Sequence, residues 1–110
     1  MAKFGVDFRA VACDLSEWQC HQSLRHATKD LDVTMLVANA GISMVGDVVE
    51  HPADKTRRIL DLNLGSTTSL CRMYGADFAA KARGSIVVTG SLVGYAALPG
   101  ATLYGATKAY

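Results

Sequence analysis

Short apolar runs alternate along the chain with longer stretches in which apolar residues recur every three or four positions. This is the pattern of strands joined by crossover helices into a parallel sheet. The first run, Phe8 to Cys13 (FRAVAC), ends at Asp14, and a helix is predicted after it. Ser16 and Gln19 are spaced as its capping box, and Cys20, Leu24, Ala27 and Leu31 form its inner stripe. The second run, Thr34 to Ala38 (TMLVA), is apolar throughout, as in a strand covered by helices on both faces. It leads into Asn39-Ala40-Gly41. Pro52 suits the first turn of a long helix with Leu60, Leu64, Cys71, Tyr74 and Phe78 on one face, ending near Arg83 and closed by Gly84. The third run, Ser85 to Thr89 (SIVVT), gives way to Gly90-Ser91. Pro99-Gly100 then make a turn, and Thr102 is placed to cap a last helix holding Tyr104, Lys108 and Tyr110. The predicted class is α/β, a partial doubly wound parallel sheet of three strands with crossover helices.

Composition narrows the function classes. Half of the residues are hydrophobic and the formal net charge is +1, so no field argues for nucleic acid or an anionic membrane surface. No apolar run approaches the roughly 20 residues that cross a bilayer, and the start MAKFGVDFRA lacks a secretory signal's apolar stretch, so the expected location is intracellular, in the cytoplasm. The three cysteines, Cys13, Cys20 and Cys71, follow no metal spacing and are expected as reduced thiols. His21, His26 and His51 do not share a helix face, so no metal site is expected. Trp18, Met35, Met44 and Met73 read as packing residues.

In open parallel sheets, ligands bind beyond the carboxyl ends of the strands, where loops and helix starts converge. The predicted strands place Asp14, Asn39 and Ser91 at that edge. Taken singly, Asp14 serves equally to close a turn, and Asn39-Ala40-Gly41 reads equally as a tight turn or as small residues that admit a flat ligand. Tyr104 and Lys108, four apart in a helix, share a face. Such a pair is by default a solvated surface, but an ammonium about 4 Å from a phenolate attracts it by about 4 kcal/mol at an effective dielectric of 20. That favours proton transfer from a group otherwise titrating near pH 10. Ser91 is either a loop serine or a hydrogen-bond donor to the same substrate oxygen. Asn63 lies among the apolar positions of the long helix, where its amide either ties helix to sheet or serves a relay.

The ordered set Asp14, Asn39-Ala40-Gly41, Asn63, Ser91, Tyr104 and Lys108 resembles the short-chain dehydrogenases/reductases. The stretch GSIVVTGSLVGYAALPGATLYGATKAY is similar to that family's active-site segment, with serine thirteen residues before tyrosine and lysine four after it. The resemblance implies a Rossmann-like domain using NAD or NADP to interconvert a small-molecule alcohol and carbonyl. Tyr104 would be the acid/base, Lys108 would hold the nicotinamide ribose and stabilise the phenolate, and Ser91 would orient the substrate. Asn63 would anchor a relay water, Asp14 would meet the adenine, and Asn39, Ala40 and Gly41 would line the cofactor. It also implies a homo-oligomer for the full-length protein. Val93, Tyr95 and Leu98 suggest an apolar wall. Ala38 departs from the family by standing where many members carry an asparagine.

The family's glycine-rich turn, which seats the cofactor's pyrophosphate on a helix start, has no counterpart in these residues. By resemblance the three runs are the third, fourth and fifth strands, and the first two would lie between two of them. Residues 1–110 are therefore expected to form a single incomplete domain, inactive alone. Two other readings are a sugar-nucleotide epimerase or dehydratase of the extended relatives, and a non-catalytic module that borrows strands from a partner.

Overall fold

The computed structural model describes residues 4–110. Its elements run α1 (Trp18–Ala27), β1 (Met35–Ala38), α2 (Ala53–Leu60), a π-helical turn (Asp61–Ser66), α3 (Thr67–Ala80), β2 (Ser85–Val88) and α4 (Thr102–Ala109). Short 3-10 turns at Val48–Glu50 and Leu92–Gly94 follow the two strands. β1 and β2 pair in parallel, with Met35 opposite Ser85 and Ala38 opposite Val88. Bonds from Ser85 N–H to Thr34 O and from Thr89 N–H to Ala38 O, at 3.0 and 3.1 Å, extend the ladder at each end. The second and third apolar runs are thus strands. The first is not: Phe8 to Cys13 pairs with neither strand.

Segment 8–13 is held instead by side chains. Arg9 forks onto Asp30 with bonds of 2.8 and 2.9 Å, just beyond the end of α1. The structure also joins Cys13 to Cys20 as a disulfide with Cα atoms 5.6 Å apart, leaving Cys71 free. This corrects the expectation of three reduced thiols. The odd cysteine count hid a pair that the turn between segment and helix brings face to face.

The core forms where α3 lies on the sheet: Leu70, Tyr74 and Phe78 are buried, with Leu24, Val33 and Leu36 packed against them. Tyr74 Oη meets Thr28 Oγ1 at 2.8 Å, and Arg25 pairs with Asp77, so α1 is tied to α3 by both a phenol and an ion pair. Helices cover only one face of the strands. Leu36 and Ala38 are half-buried, whereas Met35 and Val37 remain more than half exposed, so the predicted two-sided cover is absent. Trp18 is likewise 58% exposed rather than packed.

The predicted long helix is present but not uniform. The π-helical turn inserts a wider loop of backbone at Asp61–Ser66, and the buried positions become Ile59, Leu62, Asn63, Ser66 and Leu70, rather than Leu60 and Leu64. The helix ends at Ala80, short of Gly84. Ser16 does not cap α1: its hydroxyl and N–H both donate to Asp14 Oδ1, at 2.7 and 3.0 Å. α4 starts at Thr102 without a side-chain cap. Among the described residues no helix is long and apolar enough to cross a membrane.

Candidate active site

The parallel pairing sends both strands out at the same edge, where Asn39 and Thr89 follow directly. Thr89 Oγ1 donates to Asn39 Oδ1 at 2.9 Å, and Lys108 Nζ donates to Thr89 O at 2.8 Å. The last turn of α4 is thereby fastened to the ends of both strands. Lys108 Nζ stands 5.9 Å from the centre of the Tyr104 ring, as a helical spacing of four residues allows. A Cβ at Gly41 would come within 3.2 Å of Asn63 Oδ1 and 3.6 Å of Lys108 Nζ. The bare backbone of residue 41 therefore packs closely beside Asn63 and the lysine ammonium, where a side chain would be crowded.

Asn63 is 6% exposed and its amide is fully engaged by protein. Its Oδ1 accepts the Ile42 N–H, and its Nδ2 donates to Ile42 O and to Thr107 Oγ1, each at 2.9 Å. The side chain thus ties helix to loop, since both of its donors already have partners. It belongs to the π-helical turn, a feature that interrupts regular helices frequently at functional sites.

Asp14 lies at the end of the unpaired first run. The two bonds from Ser16 hold its carboxyl below the usual carboxylate range against desolvation, with a lesser contribution from Arg58 at 2.8 Å. It is an anion at neutral pH and an acceptor only. Its neighbour Leu15 shares a cavity of about 120 Å³ with Asn39 and Ala40, which brings the Asp14 turn beside the strand ends. Ser91 precedes the 3-10 turn, and its carbonyl accepts the Gly94 N–H at 3.1 Å. Gly94 packs so closely on the backbone carbonyl of Lys108 that a side chain there would overlap it. The Ser91 loop is in this way seated against the end of α4.

Several members of the arrangement escaped the sequence reading. Thr89 and Thr107 carry the hydrogen bonds that join loop, helix and strand, and their only sequence signal is adjacency to Gly90-Ser91 and to Lys108. Arg58 showed no link to Asp14, forty-four residues away. A larger cavity of about 520 Å³ opens beyond Gly41, between the loop of Ile42 to Gly46 and the start of α2, with His51 and Ile59 in its wall. Gly46 N–H donates to Gly100 O at 2.8 Å, joining that loop to the turn before α4. Val93, Tyr95 and Leu98 line a separate hollow of about 320 Å³ along α4.

The sequence pattern of one family, described as short chain dehydrogenase, matches residues 1–110. This chain belongs to the short chain dehydrogenase family. The 7beta-hydroxysteroid dehydrogenase of Clostridium sardiniense is 31% identical over 106 residues, covering 96% of this chain and 41% of that protein. Among solved structures, a short-chain dehydrogenase from Sphingobium yanoikuyae in complex with NADPH superposes with a TM-score of 0.89 at 30% identity, over 97% of this chain and 42% of the other. The bulky-bulky ketone specific alcohol dehydrogenase of Comamonas testosteroni gives a TM-score of 0.83 at 35% identity, over 90% and 40%. The chain spans about two-fifths of the length of these short chain dehydrogenases. The shared fold is the Rossmann-like α/β architecture, and these residues supply two strands and the helical layer on one face of it.

Proposed function

We propose that this chain carries the catalytic centre of an NAD(P)-dependent oxidoreductase that interconverts an alcohol and a carbonyl, and that residues 1–110 form part of one cofactor-binding domain. The observation that carries the reading is Lys108 Nζ at the carboxyl edge of a parallel sheet, bonded to Thr89 O at 2.8 Å and 5.9 Å from the centre of the Tyr104 ring. A nicotinamide nucleotide fits this chemistry. The backbone of Asn39 to Gly41 admits a flat ring, Lys108 offers an ammonium to ribose hydroxyls, and the ionised Asp14 offers an acceptor to the adenine amine. The relatives named above are dehydrogenases, one of them solved with NADPH, which favours this reading over epimerisation or a non-catalytic role.

When bound, the nicotinamide supplies or accepts the hydride. In the reducing direction, the Tyr104 hydroxyl gives its proton to the carbonyl oxygen as charge develops there, and Lys108 stabilises the phenolate left behind. Ser91 donates a hydrogen bond to the same oxygen and orients the carbonyl. Asn63 keeps the loop of Gly41 and Ile42 in register with α4. The substrate class is a ketone or secondary alcohol.

The test uses the complete gene product with NADH and NADPH against a panel of aliphatic, alicyclic and aryl ketones. The expected result is carbonyl-dependent oxidation of one of the reduced nucleotides. Failure to bind either nucleotide would sink the proposal.

A further inference from the structure

α4 has eight residues and no side-chain cap, and a helix so short has little stability of its own. Its register against the strands must come from tertiary ties. Among the described residues, side-chain hydrogen bonds link α4 and its C-cap to distant parts of the chain at three points: Lys108 to Thr89, Thr107 to Asn63, and the capping Tyr110 to Thr68. The first uses a group assigned above to chemistry. The second uses one that is not: Thr107 is 6% exposed.

The Thr107 hydroxyl accepts from Asn63 Nδ2 at 2.9 Å and donates to the Tyr104 carbonyl at 2.8 Å. Asn63 in turn grips both the N–H and the carbonyl of Ile42. An unbroken chain of hydrogen bonds therefore runs from the loop beside Gly41, through the π-helical turn, to the backbone of the proposed acid/base residue. Buried chains of this kind are rigid because removing one link leaves its neighbours without partners in a medium that cannot replace them.

We propose that Thr107 is a positioning residue: its hydroxyl, acting through Asn63, locks the turn that carries Tyr104 and Lys108 to the loop of Asn39–Ile42. This rests on the reading of Tyr104 and Lys108 given above. Thr107→Val keeps the shape and removes the hydroxyl, whereas Thr107→Ser keeps the hydroxyl. The valine variant should lower kcat about tenfold or more with KM for the ketone changed less than about twofold, because a slightly misplaced acid hurts the transition state more than binding. The serine variant should restore kcat.

A second readout needs no turnover. Hydrogen exchange followed by mass spectrometry on the unliganded complete gene product should show faster exchange in Thr107→Val both in α4 and in the segment 39–46, with α1 unchanged and the serine variant like the parent. Should the valine variant not fold, Thr107→Ala, which leaves room for a water in place of the hydroxyl, carries the same comparison with serine. Faster exchange confined to α4, or valine kinetics equal to serine, would overturn the positioning role. Loss of the proposed reaction is judged separately, by Tyr104→Phe, so a failed lock is distinguishable from a failed reading.

Discussion

Gly41 and Lys108, sixty-seven positions apart, are neighbours: a methyl group added to Gly41 would stand 3.6 Å from the lysine Nζ and 3.2 Å from Asn63 Oδ1. The carboxamide cannot swing aside without giving up its three bonds to Ile42 and Thr107. Gly41→Ala should therefore destabilise the fold by about 1 to 2 kcal/mol through overpacking and weaken nucleotide binding. A denaturant midpoint and a nucleotide titration check both effects; an alanine variant matching the parent in each would remove Gly41 from the site.

Gly94 presents a harder limit, since its Cβ position is already taken by the Lys108 carbonyl. Gly94→Ala must displace the last turn of α4, because the obstructing atom is backbone. Turnover should fall even where circular dichroism shows a native helix content. Full activity in that variant would mean that the position of the Lys108 turn is not critical.

The disulfide between Cys13 and Cys20 predicts one titratable thiol per unfolded, unreduced chain, from Cys71, and three after reduction. Closing so short a loop should contribute about 2 kcal/mol, so reductant should lower the denaturant midpoint and Cys13→Ser should abolish that sensitivity. Three thiols before reduction would refute the pairing.

Acid should loosen the same region. Hydrogen bonding from Arg9, with its charge as a lesser cause, lowers Asp30 from 3.8 to about 2, and Asp14, Asp32 and Asp77 are shifted in the same direction. A carboxylate depressed in the folded state favours folding above its unfolded value and loses that contribution as pH falls through the folded one. Stability should thus decline from about pH 4 downward, and the Asp30→Asn variant should lose less over this interval. The residue is exposed, so added salt should weaken the effect. An acid transition unchanged in Asp30→Asn would contradict the assignment.

Much of the architecture was legible because strands and helices leave different periods. TMLVA and SIVVT announced β1 and β2, and Pro52 announced the start of the long helix. What the pattern could not convey depends on neighbours. FRAVAC has a strand's composition, but a strand exists only through ladder bonds, and this run makes none with β1 or β2. The π-helical turn shifted the buried face from Leu60 and Leu64 to Ile59 and Leu62, since one widened turn changes the phase of everything beside it. Ser16 had the spacing of a cap but found Asp14 closer. At the site, Tyr104, Lys108 and Ser91 stood out by type and spacing. Thr89 and Thr107 did not, because a threonine's role as a link is fixed by what lies across the fold.

In the proposed mechanism Tyr104 delivers the proton while Lys108, 5.9 Å from its ring, supports the charge left on it. The most direct measurement is single-turnover ketone reduction by the complete gene product and its Tyr104→Phe variant, with nucleotide binding measured alongside. The phenylalanine variant should bind the nucleotide with near-parental affinity and reduce the ketone at least about 100-fold more slowly. Equal rates in the two proteins would contradict it.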